Sequence, residues 1–155
     1  MKNTLNIYLR PLREEDALTS YKWRNDPEVW KLTGSRPDIV VTPEIEKDWI
    51  RKVLQDPASR RFAICIAQND TYIGNVQLTN ITGEEAEFHI FIGEKKCWGK
   101  GVGYMATTEL INIAKKQLPL KRIYLYVKPG NTAAIKIYEK AGFKQAGGEK
   151  MILDL

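Results

Sequence analysis

The strongest chemical signal in this chain is the run Gly99-Lys100-Gly101-Val102-Gly103. Glycines at alternate positions let a backbone turn tightly and come close to a ligand. The run opens a strongly periodic helical segment, and the N–H groups and dipole of a helix start together form an anion site. Lys100 adds a positive charge there. Two phosphate-binding patterns fail. No Gly-x-x-x-x-Gly-Lys-Ser/Thr string exists. A dinucleotide fingerprint is loosely met by Gly101–Ala106, but it needs an acid near the end of the next strand. That strand, Ile123-Tyr124-Leu125-Tyr126-Val127, has none. Three alternate glycines at a helix start favour a ligand site over a plain connector.

Other reactive residues are few. The chain has 2 cysteines, and Cys65 and Cys97 are too isolated for a metal framework, so no metal is expected. Cys65, in the apolar run Phe62–Ile66, reads as core. Cys97 flanks the glycine turn, but the chain's single histidine, His89, gives it little support as a nucleophile. Glu87 and His89 are two apart on one strand and share a face. Glu87 reads equally as a general base or as an ion-paired surface carboxylate; His89 reads as a hydrogen-bonded, partly buried ring. Tyr138 lies on the apolar face of its helix, where periodicity alone reads core. Asn131 is placed to cap that helix.

The net charge of +5 permits an anionic partner. The basic residues come in pairs (Arg60-Arg61, Lys95-Lys96, Lys115-Lys116, Lys121-Arg122), and most of these pairs read as solvated surface. With no long basic run and no aromatic/basic RNA motif, a phosphorylated small molecule is expected and nucleic acid is not. No apolar run approaches the ~18 residues of a membrane span, and Met1–Leu5 lacks the apolar stretch of a signal peptide. A cytoplasmic protein without membrane contact is the expectation.

The elements that must position these residues follow from periodicity and breakers. Leu5–Arg10 reads as a strand, Arg13–Asn25 as a helix broken at Asp26-Pro27, and Ser35–Thr42 as loop. Thr42 caps a helix that starts at Pro43 and runs to about Gln55; there Trp49, at helical spacing with Ile45 and Val53, reads as core. Arg61–Ala67, Tyr72–Leu78 and Ala86–Gly93 form a three-stranded antiparallel meander. Gly103–Gln117 is helical, Arg122–Val127 a strand, Thr132–Ala141 a helix, and Phe143–Ala146 and Lys150–Asp154 two short strands. The crossover from 86 to 127 makes its two strands parallel. This is an α/β (α+β) arrangement: one domain over 1–155, with a mixed sheet of six to seven strands flanked by about four helices.

Trp98-Gly99-Lys100-Gly101-Val102-Gly103-Tyr104-Met105-Ala106 resembles the Gln/Arg-x-x-Gly-x-Gly/Ala signature of the GNAT superfamily of N-acetyltransferases, with Trp98 in the Gln/Arg place. That departure is common in the branch resembling ribosomal-protein N-terminal acetyltransferases. Glu87–Ile92 resembles the family's fourth strand, and Asn131–Phe143 its Asn-x-x-Ala…Tyr-Glu-Lys-x-Gly-Phe block. Arg10–Asp16 and Trp23–Val29 match its N-terminal end.

The resemblance implies a GNAT fold, with parallel strands splayed at the cofactor site and acetyl-CoA as acyl donor. It implies direct transfer to a primary amine, without an acyl-enzyme. Implied cofactor contacts are Ile90, Phe91, Ile92, Trp98, Gly99, Lys100, Gly101, Val102, Gly103, Tyr104, Asn131 and Lys140. Tyr138 is implied as the acid that assists the leaving thiolate, and Glu87 as the base. Helices 13–25 and 43–55 and the loop between them, with Tyr21, Trp23, Arg24, Trp30 and Trp49, are expected to form the acceptor side. The Tyr21–Asn25 string and the short tail after Phe143 are similar to acetyltransferases of amino-sugar nucleotides. Asn25–Val29 fits relatives acting on protein N-termini or polyamines, for which Glu84-Glu85-Glu87 offers a weak acidic patch. A non-catalytic acyl-CoA sensor is the alternative of another class. A small-molecule partner and a monomer or homodimer are expected.

Overall fold

A computed structural model describes residues 5–33 and 36–155. The expectations placed on Met1–Thr4, and on Ser35 in the loop before Thr42, lie outside the described residues. The strands are β1 (Ile7–Pro11), β2 (Arg60–Ile66), β3 (Tyr72–Thr82), β4 (Glu85–Ile92), β5 (Arg122–Tyr126), β6 (Lys144–Gln145) and β7 (Lys150–Asp154). The helices are α1 (Ala17–Arg24), α2 (Pro27–Thr33), α3 (Pro43–Leu54), α4 (Val102–Gln117) and α5 (Thr132–Lys140), with 3-10 turns at Glu14–Asp16 and Lys95–Cys97. No helix among the described residues is long and apolar enough to cross a membrane.

Among the described residues the sheet has 7 strands in the order β1-β2-β3-β4-β5-β7-β6. The meander β1 to β4 is antiparallel. β4 and β5 are parallel, as the crossover through α4 requires. β7 then returns antiparallel beside β5. This is the GNAT fold, a mixed sheet with helices on both faces.

Alternation assigns the faces. Ile64, Val76, Leu78, Ala86 and Phe88 pack in one core with Val102, Ala106 and Leu110 of α4. Ala63, Cys65 and Tyr72 pack in a second with Ala17 and Trp23 of α1 and Ile50 of α3. α4 and α5 therefore cover one face, and α1 and α3 the other.

α2 is a helix that the sequence reading missed. Asp26-Pro27 does end α1, but it also starts α2: Asp26 accepts from the Glu28 N–H through Oδ1, and its carbonyl accepts from Val29 and Trp30. Pro27 occupies the first helical position, where a missing N–H costs nothing. Among the described residues there are thus five α-helices, where about four were expected.

Candidate active site

The two parallel strands part company. β4 and β5 are in register only from Glu85 with Arg122 to Glu87 with Tyr124. Past that point β4 continues to Ile92 beside β3 alone. A wedge opens between β4 and β5, beginning at Phe88.

Side chains on the two sides of the wedge differ in chemistry. On the α4/α5 face, Tyr138 of α5 stands edge-on to Phe88 at 5.9 Å and to Phe143 at 5.9 Å. Its hydroxyl has no protein partner among the described residues, and burial pushes the phenol up to about 12. It is therefore protonated at neutral pH, the form that can donate. On the α1/α3 face, His89 Nε2 donates to Glu87 Oε2 at 3.0 Å. Asn80 Nδ2 donates to Glu87 Oε1 at 3.1 Å. Burial lowers the His89 pKa, and the Arg61 charge adds to that, against the opposing pull of Glu87. A neutral imidazole that donates through Nε2 keeps Nδ1 as an acceptor. Glu87 is thus a hydrogen-bonded carboxylate, with His89 and Asn80 as its partners.

The glycine turn lies at the far end of β4. Gly99 and Gly101 have φ of 74° and 79°, which side-chain-bearing residues rarely adopt. Gly103, already helical, lets α4 approach α5: a Cβ there would sit 3.4 Å from Ile137 Cδ1. The first α4 bond runs from the Met105 N–H to the Gly101 carbonyl. The N–H groups of Val102, Gly103 and Tyr104 are thus the unpaired donors of a helix start. Lys140, at the end of α5, places Nζ 4.3 Å from the Tyr104 ring centroid, so the two predicted contacts meet at the mouth of the turn.

Three tethers fix the segment that leads from β4 into this turn. The Trp98 indole N–H donates to the Ile92 carbonyl at 2.8 Å. Trp23 lies flat on Gly93, where a Cβ would come within 1.9 Å of its ring, and donates to Glu94 at 3.1 Å. Lys95 pairs with Asp26 at 3.0 Å and Glu28 at 3.2 Å. The segment before the turn is thereby fastened to α1 and to the start of α2. Asn131 caps α5 by accepting from the Ala134 N–H at 3.2 Å.

Some expectations fail. Trp49 is not core: it is 37% exposed, while Glu46 on the same helix is 2% exposed. Glu46 can be buried because Ser20 donates to it at 2.7 Å and Arg24 at 3.1 Å. Arg61 is not a solvated surface charge; it is half-buried, and its Nε is buried without a partner. Its alternation with Ala63 and Cys65 could have placed it on the α1/α3 face. Gly93 was also passed over; only its place beside a strand end marked it. Cys97 is buried, and burial pushes its thiol up, which does not suit a nucleophile.

A wedge between parallel strands, closed at one end by a glycine-rich helix start, is the site of an acyl-CoA-dependent transferase. The chain matches the Acetyltransferase (GNAT) domain family over residues 6–144, and it belongs to that family. It is an acyltransferase with acetyl-CoA as its acyl donor. It is 26% identical over 132 residues to Acetyltransferase PseH of Campylobacter jejuni, covering 85% of this chain and 79% of that protein. It is 28% identical over 148 residues to the spermidine N(1)-acetyltransferase of Escherichia coli, covering 95% and 77%. The crystal structure of spermidine N-acetyltransferase from Vibrio cholerae, in complex with CoA and spermine, superimposes with a TM-score of 0.85 at 26% identity, covering 96% of this chain and 95% of that one.

Proposed function

We propose that this chain, as one acetyltransferase domain over 1–155, transfers the acetyl group directly to the primary amine of a small molecule, with an amino-sugar nucleotide as acceptor. One observation carries the reading of direct transfer: the Glu87–His89 pair and Tyr138 stand on opposite faces of the sheet, on either side of the β4–β5 wedge. A base is thereby offered to one side and a proton donor to the other.

The chain's residues fit acetyl-CoA. The turn Gly99–Gly103 offers the N–H groups of a helix start to a pyrophosphate, with Lys100, Tyr104 and Lys140 around them. Trp98 and Val102 fix the turn by packing and Asn131 fixes the start of α5. When bound, acetyl-CoA supplies a thioester carbonyl. The backbone of Ile90, Phe91 and Ile92, on the strand edge that β5 leaves, donates to the oxygen of that carbonyl, a role worth ~3–4 kcal/mol in other enzymes. The Glu87–His89 pair takes the amine proton. Tyr138 donates a hydrogen bond to the departing sulfur. At about 12, its pKa lies about 3.5 units above a thiol near 8.5, or about 5 kcal/mol. That gap favours a hydrogen bond over complete proton transfer.

A polyamine acceptor is the second reading, favoured by the likeness to spermidine acetyltransferases. Its acidic patch is weak here. Glu84 pairs with Lys121 at 3.1 Å, Glu85 with Arg122 at 3.6 Å, and Glu87 with His89. Thiol release from acetyl-CoA, measured against 4-amino-sugar nucleotides, spermidine and N-terminal peptides, tests both. Turnover with the amino-sugar nucleotides supports the first reading, and turnover with spermidine alone replaces it with the second. No release with any acceptor would favour an acyl-CoA sensor.

A further inference from the structure

Two guanidinium groups converge on one exposed indole. Arg24 Cζ lies 5.0 Å and Arg61 Cζ 5.5 Å from the Trp49 ring centroid. The Nε of each is buried without a hydrogen-bond partner, and no other buried side-chain nitrogen or oxygen among the described residues is in that state. Buried polar atoms are satisfied in roughly 90% of cases or more, so two exceptions on side chains that share one indole require a cause. Arg24 shares its charge with Glu46. Arg61 has no ion pair among the described residues; Asp56 acts on it only at longer range, and burial holds its guanidinium below the ordinary value. Two guanidinium groups against the single carboxylate of Glu46 leave the cluster positive.

Its position matters for the reaction. Arg61 is in register with Gln77, and Gln77 with His89. The three share the α1/α3 face, and two strand spacings separate Arg61 from His89, about 10 Å at the backbone. A guanidinium fork matches the two oxygens of a phosphate or carboxylate, and an indole offers a flat surface beside it.

We propose that Arg24, Trp49 and Arg61 bind a phosphate or carboxylate carried by the acceptor, on the same face of the sheet as the Glu87–His89 pair and two strands away from it. The acceptor is then an amine with an anionic arm, not a polycation. This rests on the α1/α3 face being the acceptor side and names what that face selects.

The test is binding, so it does not depend on turnover. The protein is saturated with acetyl-CoA to fill the glycine turn, then titrated separately with inorganic pyrophosphate and citrate by calorimetry. The wild type should bind at least one of them. Arg61→Gln should weaken that affinity at least about tenfold, whereas Arg61→Lys should retain part of it and report that the fold is intact. Pyrophosphate preferred over citrate identifies a phosphate arm; the reverse identifies a carboxylate arm. No binding of either probe, or equal binding by Arg61→Gln, overturns the proposal. Probe binding without turnover of the amino-sugar nucleotides would leave this site standing and overturn the choice of that acceptor instead.

Discussion

The indole of Trp98 donates to the carbonyl of Ile92 at 2.8 Å, tying the start of the glycine turn to the end of the strand that lines the wedge. The place that the family signature gives to Gln or Arg is therefore held here by a ring whose N–H closes on the protein itself. Trp98→Phe keeps the packing and loses the bond. It should lower stability by about 1 kcal/mol, or roughly 2–4 °C in Tm, and weaken acetyl-CoA binding as the turn loosens. Unchanged melting and affinity would mean that the bond does not anchor the turn.

Gly101→Ala forces a side chain onto a backbone with φ of 79°. The strain is on the order of 1–2 kcal/mol, and the rise in Tm on adding acetyl-CoA should shrink. Gly83→Ala is the control: its φ is 54° in a hairpin turn with open space around it. It should cost similar stability and leave the acetyl-CoA response intact. Equal cofactor responses in the two variants would remove the turn from the binding site.

Tyr138→Phe should lower kcat by at least about tenfold with little change in the Kd of acetyl-CoA, because the ring contacts with Phe88 and Phe143 survive the change. Equal losses in both quantities would make Tyr138 structural. Because burial holds the phenol near 12, no limb of the pH–rate profile below pH 10 should vanish in this variant.

Burial keeps the His89 pKa below its ordinary 6.5, against Glu87. Between the lowered folded value and 6.5, the unfolded chain binds more protons than the folded one. The contribution of His89 to stability is thus complete above 6.5 and is lost as pH falls through the folded value. The acid limb of kcat/KM should likewise lie below pH 6.5. Glu87→Gln removes the pull that holds the value up, so the limb should move lower still. A limb above 6.5 in the wild type would contradict the pair as base.

The glycine turn, the strand order and the crossover were legible because each has a local cause: positive φ, period-2 alternation and breaker residues. The parallel pairing of β4 and β5 followed from the crossover. The α1/α3 face was less legible. Helical spacing put Trp49 in the core, yet α3 buries Glu46 instead, because partners from α1, Ser20 and Arg24, make burial of a carboxylate tolerable. Such a long-range network leaves no trace in periodicity. For the same reason Arg61 looked like surface charge, and the closeness of Trp23 to Gly93 could not be read from residues 70 apart. Asp26-Pro27 was read as a stop only, since a helix end and a helix start use the same dipeptide.

The measurement that bears most directly on direct transfer is the initial-rate pattern, with acetyl-CoA and the best acceptor varied together. Lines that intersect in double-reciprocal plots are the predicted result, because amine and thioester must occupy the wedge at once. Parallel lines, with an acetylated enzyme isolable in the absence of acceptor, would contradict it and require a covalent carrier on the chain.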